Sequence, residues 1–168
     1  QMRNPWDVDR DGLVAGLMAA IDTPLGELFG GRELRRLEAN NRLNELSFDF
    51  GLAANGIAPT AADIGELVQR HLGDSDLLHN WASTLSGADF NERLAGHLTG
   101  SIDLVARITS PGEAERYVVC DYKTNRVAPP GVTPTIDMFH PQRLAQPMAE
   151  AHYPLQALLY SVALHRYL

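Results

Sequence analysis

Cysteine is nearly missing from this chain, with Cys120 the one thiol among 168 residues. That excludes an intrachain disulfide and any zinc or iron–sulfur site built from several cysteines, and it points to a reducing cytoplasm. Long apolar runs are missing too. None approaches the roughly 20 residues that span a bilayer, and no secretory signal is legible, so no membrane partner is expected. Basic charge is short: 14 Lys and Arg stand against 21 Asp and Glu, a net charge of −7. Autonomous nucleic-acid binding draws on cations that neutralise phosphates, so a chain this acidic is expected to bind DNA weakly by itself. Also absent are a Gly-x-x-x-x-Gly-Lys phosphate loop, a His-Glu-x-x-His zinc pair and a Gly-x-Ser-x-Gly elbow, which removes three common enzyme classes.

What is present suits a soluble globular protein. Hydrophobic residues make up 45% and charged residues 21%, and the length suffices for one domain, residues 1–168, with a real core. Val8, Leu13, Val14, Leu17, Met18 and Ile21 recur at near-helical spacing and predict an amphipathic helix over Asp7 to Ile21, ended by Thr23-Pro24. Asn44 to Leu52 alternates Leu46, Phe48, Phe50 and Leu52 against Glu45, Ser47 and Asp49, the period of a strand. Thr60 to His71 predicts a helix with a capping box made by Thr60 and Asp63. Asp74 to Leu85 predicts a shorter helix carrying Trp81 as a packed residue. His71 and His79 read as helix-surface histidines rather than metal ligands. The prolines of Arg126 to Pro134 predict a linker or mobile loop, and Met138 to Ala151 a helix interrupted near Pro147. Pro154 to Leu168 is the clearest helix, with Gln156 and Tyr160 four apart on one face.

Chemistry concentrates in Gly100 to Asn125. Ser101 to Ile108 alternates Ile102, Leu104, Ala106 and Ile108 against Ser101, Asp103, Val105 and Arg107. Ser110-Pro111-Gly112 turns the chain. Arg116 to Lys123 then predicts a second strand, apolar on both faces at its start and therefore central in the sheet. Asp121 and Lys123 are two apart and share a face, and the hairpin partner can bring Asp103 alongside. Two carboxylates held together suit a divalent cation, and an oxygen-only site suits Mg²⁺. An Asp-x-Lys at a strand end also forms a solvated ion pair, and from spacing alone that reading stays open. His97 lies near the acidic cluster in sequence and is not adopted as a ligand; Asp49 reads as surface.

The blocks Gly-Ser-Ile-Asp-Leu-Val and Val-Val-Cys-Asp-Tyr-Lys-Thr-Asn resemble the Asp, Asp-x-Lys core of the PD-(D/E)xK nucleases, specifically the RecB-type nuclease domain. The ending, His152 to Leu168, is similar to that family's Gln-x-x-x-Tyr helix. The resemblance implies an α/β fold with a restriction-endonuclease-like core, a central mixed β-sheet flanked by helices. It implies Mg²⁺-dependent hydrolysis of DNA phosphodiester bonds, as exonuclease and endonuclease, within a helicase–nuclease that acts in double-strand break repair. Asp103, Asp121 and the backbone carbonyl of Tyr122 would hold the metal, and Lys123 would orient the attacking water. Glu45, matching the family's Glu-x-x-Phe position, would support a second ion or a water. Gln156 and Tyr160 would orient phosphate or support Lys123. Implied partners are single-stranded DNA delivered by a helicase, together with RecC-like and RecD-like subunits. The family's histidine lies in an upstream Gly-x-x-x-His helix that does not occur within Gln1 to Asp22, and a further C-terminal strand is expected beyond Leu168. The isolated piece is therefore expected to be weakly active or inactive. The alternative is a degenerate nuclease domain serving as a structural or protein-interaction module.

Overall fold

Alternation of apolar side chains makes Gly96–Ile108 the spine of the fold, strand β2. Ile102, Leu104, Ala106 and Ile108 are all buried, as their spacing predicts, and Val105 on the other face is buried as well. The computed structural model describes residues 9–52, 58–76, 78–86 and 92–168. Its elements, in order, are α1 (Arg10–Ile21), β1 (Arg42–Leu52), α2 (Ala61–His71), α3 (His79–Thr84), β2, β3 (Arg116–Cys120), α4 (Pro141–Glu150) and α5 (Tyr153–Tyr167). Short 3₁₀ turns stand at Glu27–Phe29, Leu34–Arg36, Ala39–Asn41 and Ile136–Phe139. The chain is α/β, in keeping with a restriction-endonuclease-like core. Of the sheet that the sequence leads one to expect, the described strands supply an antiparallel part, in the order β1-β2-β3.

That order corrects one expectation. Among the described strands it is β2 that stands centrally, whereas the run from Arg116, expected as the central strand, stands at the end of the order with no buried residue. The reason is one-sided packing, since Val118 and Cys120 meet the core while Tyr117 is exposed. β3 also stops at Cys120, short of the expected Lys123.

Contacts divide the chain into two compact units, Gln1–Leu46 with Ile102–Asp121, and Ser47–Ser101 with Tyr122–Leu168. In the first, Leu104, Ala106 and Ile108 pack with Phe29 and Leu37 from the 3₁₀ turns. Burial of each leucine, isoleucine or phenylalanine side chain stabilises by about 1.5–3 kcal/mol, so this cluster anchors the hairpin. The other face of β2 carries Arg107, which donates to Asn41 Oδ1 through Nη2 (2.8 Å) and Nε (3.1 Å). Helix α1 begins where Asp9 Oδ1 accepts from the Gly12 N–H. Arg35 ties its far end through a 2.9 Å bond to Asp22. The helix forms as predicted, yet none of its described residues is buried, and Leu13, Val14 and Leu17 are each more than half exposed. Asp7 and Val8, which the predicted helix included, lie outside the described residues.

In the second unit, α2 starts at the predicted capping box. Asp63 N–H donates to Thr60 Oγ1 (3.2 Å), while the Thr60 N–H (2.7 Å) and the Thr60 hydroxyl (2.9 Å) donate to Asp63 Oδ2 and hold that carboxyl below its ordinary pKa. Trp81, Ala82 and Leu85 form a core with Ile64, Val68, Ala149 and Leu155 around them. α4 runs through Pro147 instead of breaking there. Ala149, one turn or less beyond it, packs on the Trp81 core and offsets the lost backbone bond. The proline-rich segment is fastened rather than loose: Arg126 donates to the carbonyls of Ala128 (3.1 Å) and Val132 (2.5 Å), and Ala128 is buried.

Candidate active site

The acidic pair belongs to the first unit. β2 and β3 pair antiparallel through Leu104↔Cys120, Val105↔Val119, Ala106↔Val118 and onward. The last pair, Leu104↔Cys120, leaves Asp103 and Asp121 each one residue past the ladder, where a register carried on by one residue would set them opposite. Opposed residues of an antiparallel pair project to one face with Cβ atoms about 4.5–5.5 Å apart. Both carboxylates act on Cys120, whose thiol pKa is pushed up by burial first and then by the charges of Asp121 and Asp103. Both aspartates are half-buried, and one carboxylate oxygen of Asp121 is fully enclosed. Cys120 itself packs with the apolar cluster.

Glu45 lies in β1 and is exposed, with a φ of +53°. A left-handed residue without glycine's freedom costs of order 1 kcal/mol or more, so its surroundings must hold it there. It also interrupts the strand alternation, so parity no longer places Glu45 on the face of Asp49. Asp49 pairs with His97 instead, Oδ1 to Nδ1 at 2.8 Å, both side chains well exposed. Among the described residues no group of three or more His, Cys, Asp and Glu side chains is placed to hold a metal ion. Glu45 is therefore not gathered with Asp103 and Asp121 into a three-acid site. The donors available to a cation in the acidic pair are two carboxylates, supplemented by backbone carbonyl and water, a set that fits Mg²⁺.

Lys123 belongs to the second unit. It lies beyond the last residue of β3, so strand parity does not fix its side chain; helix α5 does. Its Nζ donates to Gln156 Oε1 at 2.6 Å. Gln156 Nε2 donates in turn to Tyr160 Oη at 2.8 Å. A primary amide has one acceptor and one donor end, so Gln156 is oriented by the pair it joins. Tyr160 is seated edge-on against Phe48 of β1, with ring centroids 5.9 Å apart, and Arg166 lies over Phe50 at 4.5 Å. The helix that carries Gln156 is capped at its start by His152, whose φ is also +53°, and Trp81 Nε1 donates to its ring at 3.4 Å.

Two features here escape a reading by motif. Lys123 is the only lysine among the chain's 14 basic residues, a count visible in the sequence. Unlike arginine, lysine offers a compact ammonium on a flexible stem that its surroundings must position. Tyr153, one helical turn before Gln156, has the Lys123 ammonium 4.2 Å from its ring centroid and donates through its hydroxyl to Asn125 Oδ1 at 2.7 Å. Elsewhere in this unit, Arg143 faces Asp137 at 3.4 Å and Arg126 donates to loop carbonyls.

Over 98% of its length this chain is 41% identical to the RecBCD enzyme subunit RecB of Mycobacterium tuberculosis strain H37Rv, and 38% identical to that of Mycolicibacterium smegmatis. The chain is homologous to one segment of RecB. The RecBCD enzyme subunit RecB of Haemophilus influenzae is 36% identical over 46% of the chain, which is 6% of that relative. The chain spans about 15% of the length of the two mycobacterial RecB proteins. The alignment to them extends well beyond residues 100–125 and 152–168, the blocks that carry the resemblance to RecB, and so includes the helical stretch where no motif is legible. That coverage fits a RecB-type nuclease domain. No family model matches the chain.

Proposed function

We propose that this chain is the nuclease domain of a RecBCD-type helicase–nuclease and hydrolyses DNA phosphodiester bonds in double-strand break repair. The observation that supports the reading is the pairing of β2 with β3, whose last pair, Leu104↔Cys120, stands next to Asp103 and Asp121, in a chain homologous to RecB. Asp103, Asp121 and the Tyr122 carbonyl would hold Mg²⁺. Bound Mg²⁺ supplies positive charge that polarises the phosphate and makes a nearby water more acidic. Lys123, one residue past Tyr122, orients that water and offsets charge building on the phosphate. Gln156 and Tyr160 keep the ammonium in place. Glu45 positions a water or a second ion from β1. DNA strands reach the site from a helicase, and RecC-like and RecD-like subunits complete the assembly in the cytoplasm.

The test is cleavage of linear DNA by the protein in its subunit complex with Mg²⁺, comparing wild type with Asp121→Ala and Lys123→Ala. Each substitution is expected to slow cleavage on the order of a hundredfold or more while the complex still assembles, and chelation of the metal to abolish it. Wild-type cleavage by both variants would sink the assignment and leave the chain as a structural or protein-interaction module.

A further inference from the structure

We propose that Tyr153 is a positioning residue for the lysine, a role that rests on the nuclease reading only for its effect on cleavage. An ammonium over an aromatic face is attracted by the ring quadrupole, and at 4.2 Å Lys123 Nζ lies well inside the roughly 6 Å over which this attraction counts. The ring is itself fixed at two points. Its backbone opens α5, one residue before Pro154, and its hydroxyl is tied to Asn125 at 2.7 Å. Lys123 and Asn125 are two residues apart, so Tyr153 grips the segment twice, by ring on the lysine and by hydroxyl on the asparagine.

Hydrogen bonding by Gln156 alone fixes how far Nζ stands from one oxygen, not the direction from which the four-carbon stem arrives. The ring supplies the second constraint. Together the amide and the ring narrow the positions open to the ammonium, and a displacement of about 1 Å at a reacting group can cost a hundredfold in rate.

Because the chain has a single lysine, incorporation of ¹³C-lysine gives one set of side-chain signals, all from Lys123. A methylene held over a ring is shifted upfield by the ring current. The ε-CH₂ signal of the wild-type chain is expected upfield of its free-lysine position, at that position in Tyr153→Leu, and still upfield in Tyr153→Phe, which keeps the ring. An unshifted wild-type signal overturns the proposal with no variant needed, and so does a shift that survives Tyr153→Leu. In the cleavage assay Tyr153→Leu is expected to lower kcat on the order of tenfold with little change in KM, and Tyr153→Phe to restore most of it. A wild-type kcat for Tyr153→Leu, alongside a slow Lys123→Ala, overturns the positioning role alone. A wild-type rate for Lys123→Ala instead overturns the nuclease reading and leaves the spectroscopic arm to decide the contact.

Discussion

At Cys120, burial and two carboxylates act in the same direction on one thiol. The raised pKa keeps the sulfur protonated at neutral pH, and only thiolate alkylates quickly. Iodoacetamide should therefore modify this thiol in metal-free buffer more slowly than a free cysteine, with the rate climbing only above the ordinary thiol range. Asp103→Asn and Asp121→Asn each remove a negative neighbour, lower the pKa and should speed the reaction. Burial, the larger cause, remains, so neither should reach the free-thiol rate. A rate unmoved by both would contradict the closeness of the two carboxylates to β3, whatever their role. The same scale holds the least legible part of the site: nothing in the spacing of Tyr153 and Lys123, 30 positions apart, announces that ring and ammonium meet.

Among elements, the close approach of β2 to β1 in the second unit has a specific cause. A Cβ on Gly100 would lie 2.6 Å from Phe48 Cζ, well inside contact distance, so glycine makes the room that the ring occupies. Phe48 in turn seats Tyr160, which receives the Gln156 hydrogen bond. Gly100→Ala is expected to cost about 1–3 kcal/mol in urea unfolding, as overpacking does, and to slow cleavage without touching any charged group. Unchanged stability would show that the ring moves aside at no cost. Much of this scale was open to periodicity: the buried alternation of Ile102 to Ile108 and the Thr60–Asp63 capping box depend only on neighbours in sequence. The end of β3 at Cys120 and the passage of α4 through Pro147 depend on packing partners far along the chain, and periodicity carries no record of those.

For the whole molecule, the charge of −7 sets the terms of DNA binding. Few phosphates can be neutralised, so few counterions are released, and affinity should be both low and only shallowly dependent on salt. Fluorescence anisotropy with a single-stranded oligonucleotide should show weak binding by the 168-residue chain at physiological salt. Tight binding with a steep salt slope would mean that the acidic balance misrepresents the DNA-facing surface. If delivery by a larger assembly supplies the missing affinity, tethering raises local concentration and need add no contact to the chain itself. Among the described residues no helix is long and apolar enough to cross a membrane.

Local pattern determined most of the segments that became helices and strands, because alternation, capping and helical spacing are written in adjacent residues, and the resemblance to RecB-type nucleases marked Asp103, Asp121, Lys123, Gln156 and Tyr160. Tertiary structure alone decided that β2 rather than β3 is central, that Glu45 takes a left-handed backbone, and that the lysine is held between an amide and a ring. Those outcomes follow from which distant surfaces fit together, and the free energy of that fit belongs to no single stretch of chain.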